Sequence, residues 1–318
     1  MQNSMINKLK GGIFGLLVGD ALGVPYEFHN PEQIPPFEQI DMIPPKNFRT
    51  SYPSVKYGTW SDDGAQALCL LDSLICKGIF DLKDFSDRVL AWYTKGLWAV
   101  DNYVFDAGIQ TSLALSEYKH GTAPELRGNV RPDGKGNGAL MRVLPLALWH
   151  DGTDEELVED AHRQCLITHG HITNQVCCAL YCLVARKLLS DENFDDALAD
   201  SVQNLRSIYK NNKYSEYAED FEFTLRPDEP DIWQGTGSGY VVDSIRSAFM
   251  IMKTASSYEE TVKQAVALGH DTDTTACIVG GIAGIKFGYE NIPQKWLGML
   301  RDSDKAEKIT EELIKIKL

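Results

Sequence analysis

The chain has 318 residues, enough to bury a large core, and its 43% hydrophobic and 24% charged residues are ordinary for a soluble globular protein. Its formal net charge is −14, from 45 acidic and 31 basic residues. This balance argues against unaided binding to nucleic acid or to an anionic membrane, because phosphate contacts need clustered Lys and Arg. The charge does not exclude binding of a small phosphate-bearing ligand, since a few local groups or a metal ion can hold one.

The N-terminal segment lacks the features of a secretory signal. Residues 1–4 carry no basic run, and the apolar stretch 13–18 is too short and too glycine-flanked to span a membrane. We therefore predict a cytoplasmic protein. The seven cysteines fit that compartment, because their number is odd and most lie in apolar helical stretches. Buried thiols are expected rather than disulfides or zinc ligands.

Apolar residues recur at three- and four-residue steps along most of the chain, which predicts helices. Alternating strand patterns are scarce, so we predict an all-α fold in which residues 1–318 form one domain. Ser257 and Glu260 have the spacing of a capping box, and Gly280 and Gly284 would let a neighbouring helix approach closely. Two stretches, 29–59 and 207–238, are predicted as loops. The clearest helical segments are 6–17, 68–75, 176–188, 262–266 and 278–285.

Two clusters of carboxylates and hydroxyls each lie just before a predicted helix. Helix capping explains one Ser, Thr or Asp at such a position, but four aspartates exceed what capping needs. An all-oxygen set suits magnesium or calcium and disfavours zinc, and the calcium-loop pattern is not matched. If the clusters converge, they could hold two ions about 3.5–4 Å apart. The first cluster is Ser61, Asp62 and Asp63, and the second is Asp271, Asp273 and Thr274.

These clusters belong to a longer series of motifs that resembles the ADP-ribosylglycohydrolase family over about residues 11–296. A single Asp-x-Asp is weak evidence, whereas seven blocks in the family's order are specific. The blocks are GLLVGDALG (15–23) with Glu27, WSDD (60–63), DAG (106–108), GNGALMR (136–142), TH (168–169), GYVV (239–242), and DTDT (271–274) with Gly280 and Gly284.

The resemblance implies a compact all-α fold with a binuclear magnesium site, sometimes occupied by manganese. Its implied ligands are both clusters in full: Ser61, Asp62, Asp63, Asp271, Asp273 and Thr274. Three nearby positions depart from the common family residue. Ser61 replaces a frequent Thr but keeps the hydroxyl, Gly64 stands where Thr is common, and His270 stands where Gly is common.

A second set of residues is implied to bind ADP-ribose: Gly136, Asn137, Gly138, Met141, His169 and Tyr240. From the residues themselves, the Gly-Asn-Gly turn could offer backbone N–H groups to a pyrophosphate. A lone histidine such as His169 is more often structural, whereas Tyr240 is as typical of a core aromatic as of a ring that stacks on adenine. Arg142 could contact a phosphate or form a structural ion pair, and Asp20 could support the metal ligands.

The predicted reaction is hydrolysis of the N-glycosidic bond that joins ADP-ribose to a protein side chain. Metal ions would hold the ribose hydroxyls and a water, and Glu27, Asp62 or Asp273 would assist proton transfer. In the family, an Asp in the block matched by Asp106 favours arginine linkages, because a carboxylate can hold a guanidinium bidentately. In its apolar setting Asp106 needs a cationic partner, either an internal Arg or Lys or the substrate.

Three alternatives stay open at this stage. The protein could hydrolyse another ADP-ribose linkage, or it could be a structural relative that has lost catalysis. It could also be an immunity protein that neutralises an ADP-ribosylating toxin by contact, for which the 29–59 loop offers a surface. The predicted partner is an ADP-ribosylated protein substrate, with a toxin or transferase as the alternative partner.

Overall fold

The computed structural model describes residues 2–229 and 234–318, and these residues form helices with no β-strand, which confirms the all-α prediction. The α-helices are α1 (Gln2–Gly23), α2 (Asp62–Lys77), α3 (Leu82–Lys95), α4 (Ile109–Lys119), α5 (Leu144–Trp149), α6 (Asp154–Cys165), α7 (Ile172–Leu189), α8 (Phe194–Tyr209), α9 (Ser215–Asp220), α10 (Val241–Thr254), α11 (Tyr258–Ala267), α12 (Thr272–Phe287), α13 (Gln294–Met299) and α14 (Ser303–Lys317). Their buried apolar faces form one continuous core, which supports the single domain proposed for residues 1–318.

The centre of the fold is the antiparallel contact of α1 with α12, which small residues bring to backbone distance. A Cβ added to Gly15 would lie 2.4 Å from the carbonyl oxygen of Gly280, and one added to Gly11 would lie 2.0 Å from that of Gly284. Any larger side chain would force the helices apart. The predicted close approach at Gly280 and Gly284 is therefore confirmed, and we call this contact the glycine seam.

Helix α7 crosses the interior of the molecule. By length and composition it would be able to span a membrane, but 78% of it is buried inside the fold, as in the core helix of a soluble protein. It carries Cys177, Cys178 and Cys182, all buried and free. The prediction of buried thiols holds for six cysteines and is wrong for Cys76, which is exposed near the end of α2.

The two predicted loops differ in outcome. Residues 29–59 contain only short 3-10 turns, as expected. The prediction for 207–238 is wrong in part, because α8 runs to Tyr209 and a further helix and a π-helical turn cover Ser215–Asp220 and Phe221–Leu225. Four aromatic rings pack together there, those of Tyr209, Tyr214, Tyr217 and Phe221. Their contacts supply the apolar packing that the polar composition of the segment does not suggest. Residues 230–233 lie outside the described part of the chain.

The capping box predicted at the start of α11 is only half formed. The Ser257 side chain accepts from the backbone N–H of Glu260 at 3.2 Å, as predicted. The Glu260 carboxylate accepts instead from the backbone N–H and hydroxyl of Ser256, at 2.9 and 2.6 Å. The helix start is thus predicted correctly, while the reciprocal bond of the box shifts by one residue.

Candidate active site

The first cluster lies at the N-terminus of α2 and is held there by α1. The Ser61 hydroxyl accepts from the N–H of Asp63 at 3.3 Å and donates to its Oδ2 at 3.0 Å. Asp20, fully buried on α1, accepts from the backbone N–H groups of Ser61 and Gly64 at 2.9 and 2.8 Å. Asp20 thereby fixes the first turn of α2, from which Asp62 and Asp63 extend.

The second cluster lies at the N-terminus of α12 and meets the first. Asp271 is the N-cap residue but makes no side-chain capping bond; its Oδ2 accepts from Nδ2 of Asn137 at 2.8 Å. The Thr274 hydroxyl lies 3.5 Å from Oδ2 of Asp63. Residues more than 200 positions apart in sequence thus converge, as the sequence analysis required for a shared site.

A third acidic group borders the second cluster. Carboxylate oxygens of Glu27, Asp106 and Asp273 lie within 4.8 Å of one another. The Tyr52 hydroxyl, from the 29–59 loop, lies 2.8 Å from Oε2 of Glu27 and 3.1 Å from Oδ2 of Asp106. A phenol has one hydrogen, so it donates to one carboxylate and accepts from the other only when that group is protonated. Tyr52 therefore links the two carboxylates, and sequence reasoning missed it.

No Lys or Arg among residues 2–229 and 234–318 forms an ion pair with Asp106, so the internal cation considered in the sequence analysis is absent from the described chain. Burial raises the pKa of Asp106, opposed by hydrogen bonds from Tyr52 and the Ala107 backbone. Its half-buried carboxylate lines the cavity described below.

Burial without cations dominates the electrostatics of the whole site. It raises the pKa of Glu27 to about 9, with Asp106 and Asp271 adding repulsion, and the pKa of Asp20 to about 7. It also holds the pKa values of Asp62, Asp63 and Asp273 well above the usual range. The buried Oδ1 of Asp63 has no hydrogen-bond partner. An orphaned oxygen within an all-oxygen, uncompensated donor set fits a hard divalent cation.

A cavity of about 750 Å³ opens above these carboxylates. Ser61, Asp63 and Asp273 are buried at the N-termini of α2 and α12 and do not line it. Tyr240 does not line it either; it is 40% exposed and pairs with Gly136 through an isolated β-bridge. The remaining predicted site residues all line the cavity: Glu27, Asp62, Asp106, Gly136, Asn137, Gly138, Met141, His169, Asp271 and Thr274.

The Gly136–Gly138 turn supports the acidic site as well as the cavity wall. The backbone N–H of Asn137 donates to the carbonyl of Gly239 at 3.1 Å. This N–H is therefore not available to a pyrophosphate, contrary to the prediction for the turn. A Cβ at Gly138 would lie 2.5 Å from Cε1 of His169, which explains glycine there. Burial, with the charge of Arg142, lowers the pKa of His169 to about 3. This imidazole is therefore a neutral hydrogen-bonding group.

Neither role considered for Arg142 is found. The side chain is fully buried and forms no ion pair among the described residues, and its Nη1 donates to Oε1 of Gln66 at 2.7 Å. Gln66 in turn donates from Nε2 to Oδ2 of Asp62 at 3.1 Å. Arg142 therefore positions Asp62 through Gln66. The signal for Gln66 was its place one helical turn after Asp62.

Two residues at the cavity mouth have left-handed backbone conformations. Phe28 and His270 have φ values of 62° and 60°, and the N–H of Phe28 donates to the carbonyl of His270 at 2.7 Å. The N–H of His270 donates to the carbonyl of His29 at 2.6 Å. Glycine adopts such a φ without cost, which explains why it is common at position 270 in the family. The pair directs the Phe28 ring, 72% exposed, to the mouth.

Comparison with known proteins defines the class of the chain. A family model described as ADP-ribosylglycohydrolase matches residues 1–317. The chain belongs to the ADP-ribosylglycohydrolase family, as its motifs indicated.

Several relatives carry more specific names. The chain is 28% identical over 313 residues to "ADP-ribosylarginine hydrolase Tri1" of Serratia proteamaculans (strain 568), covering 98% of this chain and 80% of that protein. It is 28% identical over 300 residues to "ADP-ribosyl-[dinitrogen reductase] glycohydrolase" of Rhodospirillum rubrum, covering 93% and 91%. A solved structure titled "ADP-ribosylglycohydrolase-related protein complex" superposes with a TM-score of 0.80 and 28% identity, covering 99% of this chain and 100% of that one.

Proposed function

We propose that this protein is a divalent-metal-dependent hydrolase that releases ADP-ribose from modified arginine side chains of a protein. The observation that carries the proposal is that buried carboxylates from both ends of the chain converge beneath one cavity, with no Lys or Arg paired to them among the described residues. A relative named for ADP-ribosylarginine hydrolysis supports the linkage.

The two clusters would hold two magnesium or manganese ions. The oxygen-only donors, the orphaned Oδ1 of Asp63 and the raised pKa values of the aspartates support this assignment. Bound there, the ions would supply a water that is nucleophilic at neutral pH and positive charge for the transition state. The residues that would hold them are Ser61, Asp62, Asp63, Asp271, Asp273 and Thr274.

The side chains around the ions would bind and orient the substrate. A cavity of about 750 Å³ is within the range of small-molecule and cofactor sites. Asp106 would accept hydrogen bonds from two N–H groups of the guanidinium, one on each carboxylate oxygen. Glu27 would transfer a proton at the leaving nitrogen, because its carboxyl group adjoins Asp106, which is proposed to hold the guanidinium. The ribose would pass through an oxocarbenium-like state.

The deciding experiment offers the purified protein arginine-, serine- and acetyl-linked ADP-ribose, with and without magnesium. We expect the arginine-linked compound to be hydrolysed with magnesium or manganese, and zinc to restore the chelated protein poorly. Full activity in excess chelator after dialysis would refute metal dependence. Hydrolysis of the serine-linked compound alone would refute the arginine assignment and leave the metal hydrolase intact.

Asp106→Asn tests the arginine linkage at one residue. The amide keeps the shape of the carboxylate but removes its charge and replaces one accepting oxygen with a donating NH2 group. A charge-assisted hydrogen bond contributes about 1.5–3 kcal/mol, so we expect hydrolysis of arginine-linked substrate to fall roughly ten- to a hundredfold. Binding of ADP-ribose, measured by calorimetry, should be retained. Normal processing of arginine-linked substrate by the variant would contradict the assignment.

A further inference from the structure

A second groove, of about 520 Å³, adjoins the active-site cavity. The two share Ile109 and Gln110, the first residues of α4. The groove runs between α4 and the segment 126–133. It therefore begins three residues after Asp106, on the side of the cavity where the proposed function puts the modified arginine.

The groove is lined by aliphatic side chains that the fold leaves in water. Ile109 and Leu113, one turn apart on α4, are 82% and 61% exposed. Leu126 and Val130 on the facing segment are 76% and 68% exposed. One exposed aliphatic residue is ordinary, but four around one groove are typical of an interaction site.

Charged groups of both signs surround this apolar lining. Glu117 lies at one part of the groove, and Arg131 and Asp133 form an exposed ion pair of 3.4 Å at another. An apolar centre with a polar rim is the usual composition of a protein-binding surface. With both charges present, the groove has no preference for a polyanion or a polycation.

We infer that this groove binds an apolar side chain of the ADP-ribosylated protein, a few residues from the modified arginine. The inference rests on the proposed function. The cavity and the groove share Ile109 and Gln110, so a polypeptide whose arginine reaches Asp106 has a continuous path past Gly108 and Ile109, along the start of the helix that forms the groove wall. The occupant is thus the substrate's own polypeptide, in contact with Leu113 and Leu126.

The test uses peptides of glycine and serine that carry one ADP-ribosylated arginine. A single leucine is scanned through each of about five positions on either side, and the KM and kcat of each peptide are compared with those of the leucine-free peptide. We expect at least one position to lower the KM roughly tenfold, with kcat unchanged, because the groove removes that leucine from water. If no leucine position lowers the KM, the inference is overturned.

Two groove variants and a matched control locate the effect. Leu113→Ser and Leu126→Ser should each abolish the gain from leucine while hydrolysis of ADP-ribosylated free arginine is unchanged. Ile79→Ser is the control, because Ile79 is 63% exposed and lines a groove that shares no residue with the cavity. It should leave the gain intact. A gain that persists in both groove variants would overturn the inference.

The remaining outcomes separate this inference from the proposed function. If the wild type does not hydrolyse ADP-ribosylated free arginine, the proposed function fails and the inference falls with it. If that compound is hydrolysed but the groove variants change only the oligomeric state of the protein, measured by sedimentation, a second copy of the chain occupies the groove. That result would overturn the inference and leave the proposed function standing.

Discussion

The N-termini of α2 and α12 carry similar acidic sequences but satisfy their helices differently. At α2, the Ser61 hydroxyl caps the first turn, and Asp20 of α1 accepts two of its free N–H groups. At α12, the N-cap residue Asp271 makes no capping bond, and its carboxylate is held by Asn137. Capping therefore explains Ser61 in the first cluster and leaves Asp271 in the second unexplained.

The difference separates two ways of holding a metal-ligand carboxylate. In the first cluster the same bonds stabilise the helix and orient the ligands, so folding and function share them. In the second cluster a distant amide orients Asp271. The first turn of α12 is capped instead by Asp273, whose Oδ1 accepts from the N–H of Thr274 at 2.9 Å. Substitutions that remove the supporting bonds should therefore lower both stability and metal affinity at the first cluster, and mainly metal affinity at the second.

The largest effect is expected from Asp62→Ala and Asp273→Ala, which remove one carboxylate from each cluster. Ligand loss should reduce kcat/KM by about a thousandfold or more at saturating magnesium, because bound ions contribute several kcal/mol to the transition state. The metal-free melting temperature should change little, since relief of desolvation and repulsion is offset by the loss of the bonds from Gln66 to Asp62 and from the Thr274 N–H to Asp273. Near-wild-type turnover in both variants would contradict a shared site.

Asp81→Ala is the control for that pair. Asp81 is the N-cap of α3, and its carboxylate accepts from the N–H of Asp84 at 2.9 Å. Losing this cap should lower the free energy of unfolding by about 1 kcal/mol with turnover unchanged. An acidic residue that only caps a helix is thus distinguished from one that binds an ion.

Asp20→Ala and Asn137→Ala test the same comparison at the residues that support the predicted metal ligands. Each removes the bonds that orient one cluster, and loss of such support commonly costs ten- to a hundredfold in metal affinity. Asp20→Ala should destabilise the metal-free fold more, because it leaves buried N–H groups of Ser61 and Gly64 unpaired, whereas Asn137→Ala loses one structural bond, to the Ser244 hydroxyl. Magnesium calorimetry and thermal unfolding of both variants measure the two effects. Equal losses of melting temperature would contradict the distinction.

Tyr52→Phe should reduce activity less, because it removes a hydroxyl that contacts only Glu27 and Asp106 beside the second cluster. Loss of the hydroxyl near Glu27 and Asp106 should lower kcat/KM by about tenfold. The Tyr52 hydroxyl opposes the rise in the pKa of Glu27, so the pKa that Glu27 imposes on the rate profile should move upward in the variant. A pH–rate profile superimposable on the wild type would count against this role.

The smallest expected effect is a pH dependence of the metal-free protein. Glu27 keeps its proton to a pKa of about 9 in the folded state, against 4.5 when unfolded, and Asp20 to about 7 against 3.8. The folded chain then binds more protons than the unfolded chain, so its stability falls as pH rises through this window. Melting temperatures in chelator should decrease steadily from about pH 5 to about pH 9. Magnesium should reverse the trend, and a chelated protein that gains stability with pH would contradict it.

The sequence predicts the parts of this site that are local and not those assembled across loops. Asp62, Asp63, Asp271 and Asp273 are recognisable because several carboxylates adjoin a predicted helix start. Tyr52 carries no such signal, since its contacts with Glu27 and Asp106 depend on the course of a proline-rich loop. Arg142 was misassigned because its neutral partner Gln66 lies 76 residues away.

Position 64 shows how a family pattern can depend on packing that a single sequence does not reveal. Gly64 stands where a threonine is common, and the sequence offers no reason for the change. In the structure a Cβ there would lie 2.7 Å from Cδ2 of Leu17 and 3.0 Å from Oδ2 of Asp20. Glycine is therefore matched to the neighbours that this chain has on α1.

The glycine seam also has a consequence for how the protein is made. Helix α1 leaves the ribosome well before α12, because the helix that covers its glycine face is synthesised about 250 residues later. Until then the first carboxylate cluster has its support from α1 but not the second cluster. Because contacts distant in sequence form late, the acidic site should mature only after most of translation is complete. A truncated nascent chain would accordingly be unable to retain the metal ions that the finished protein is proposed to bind.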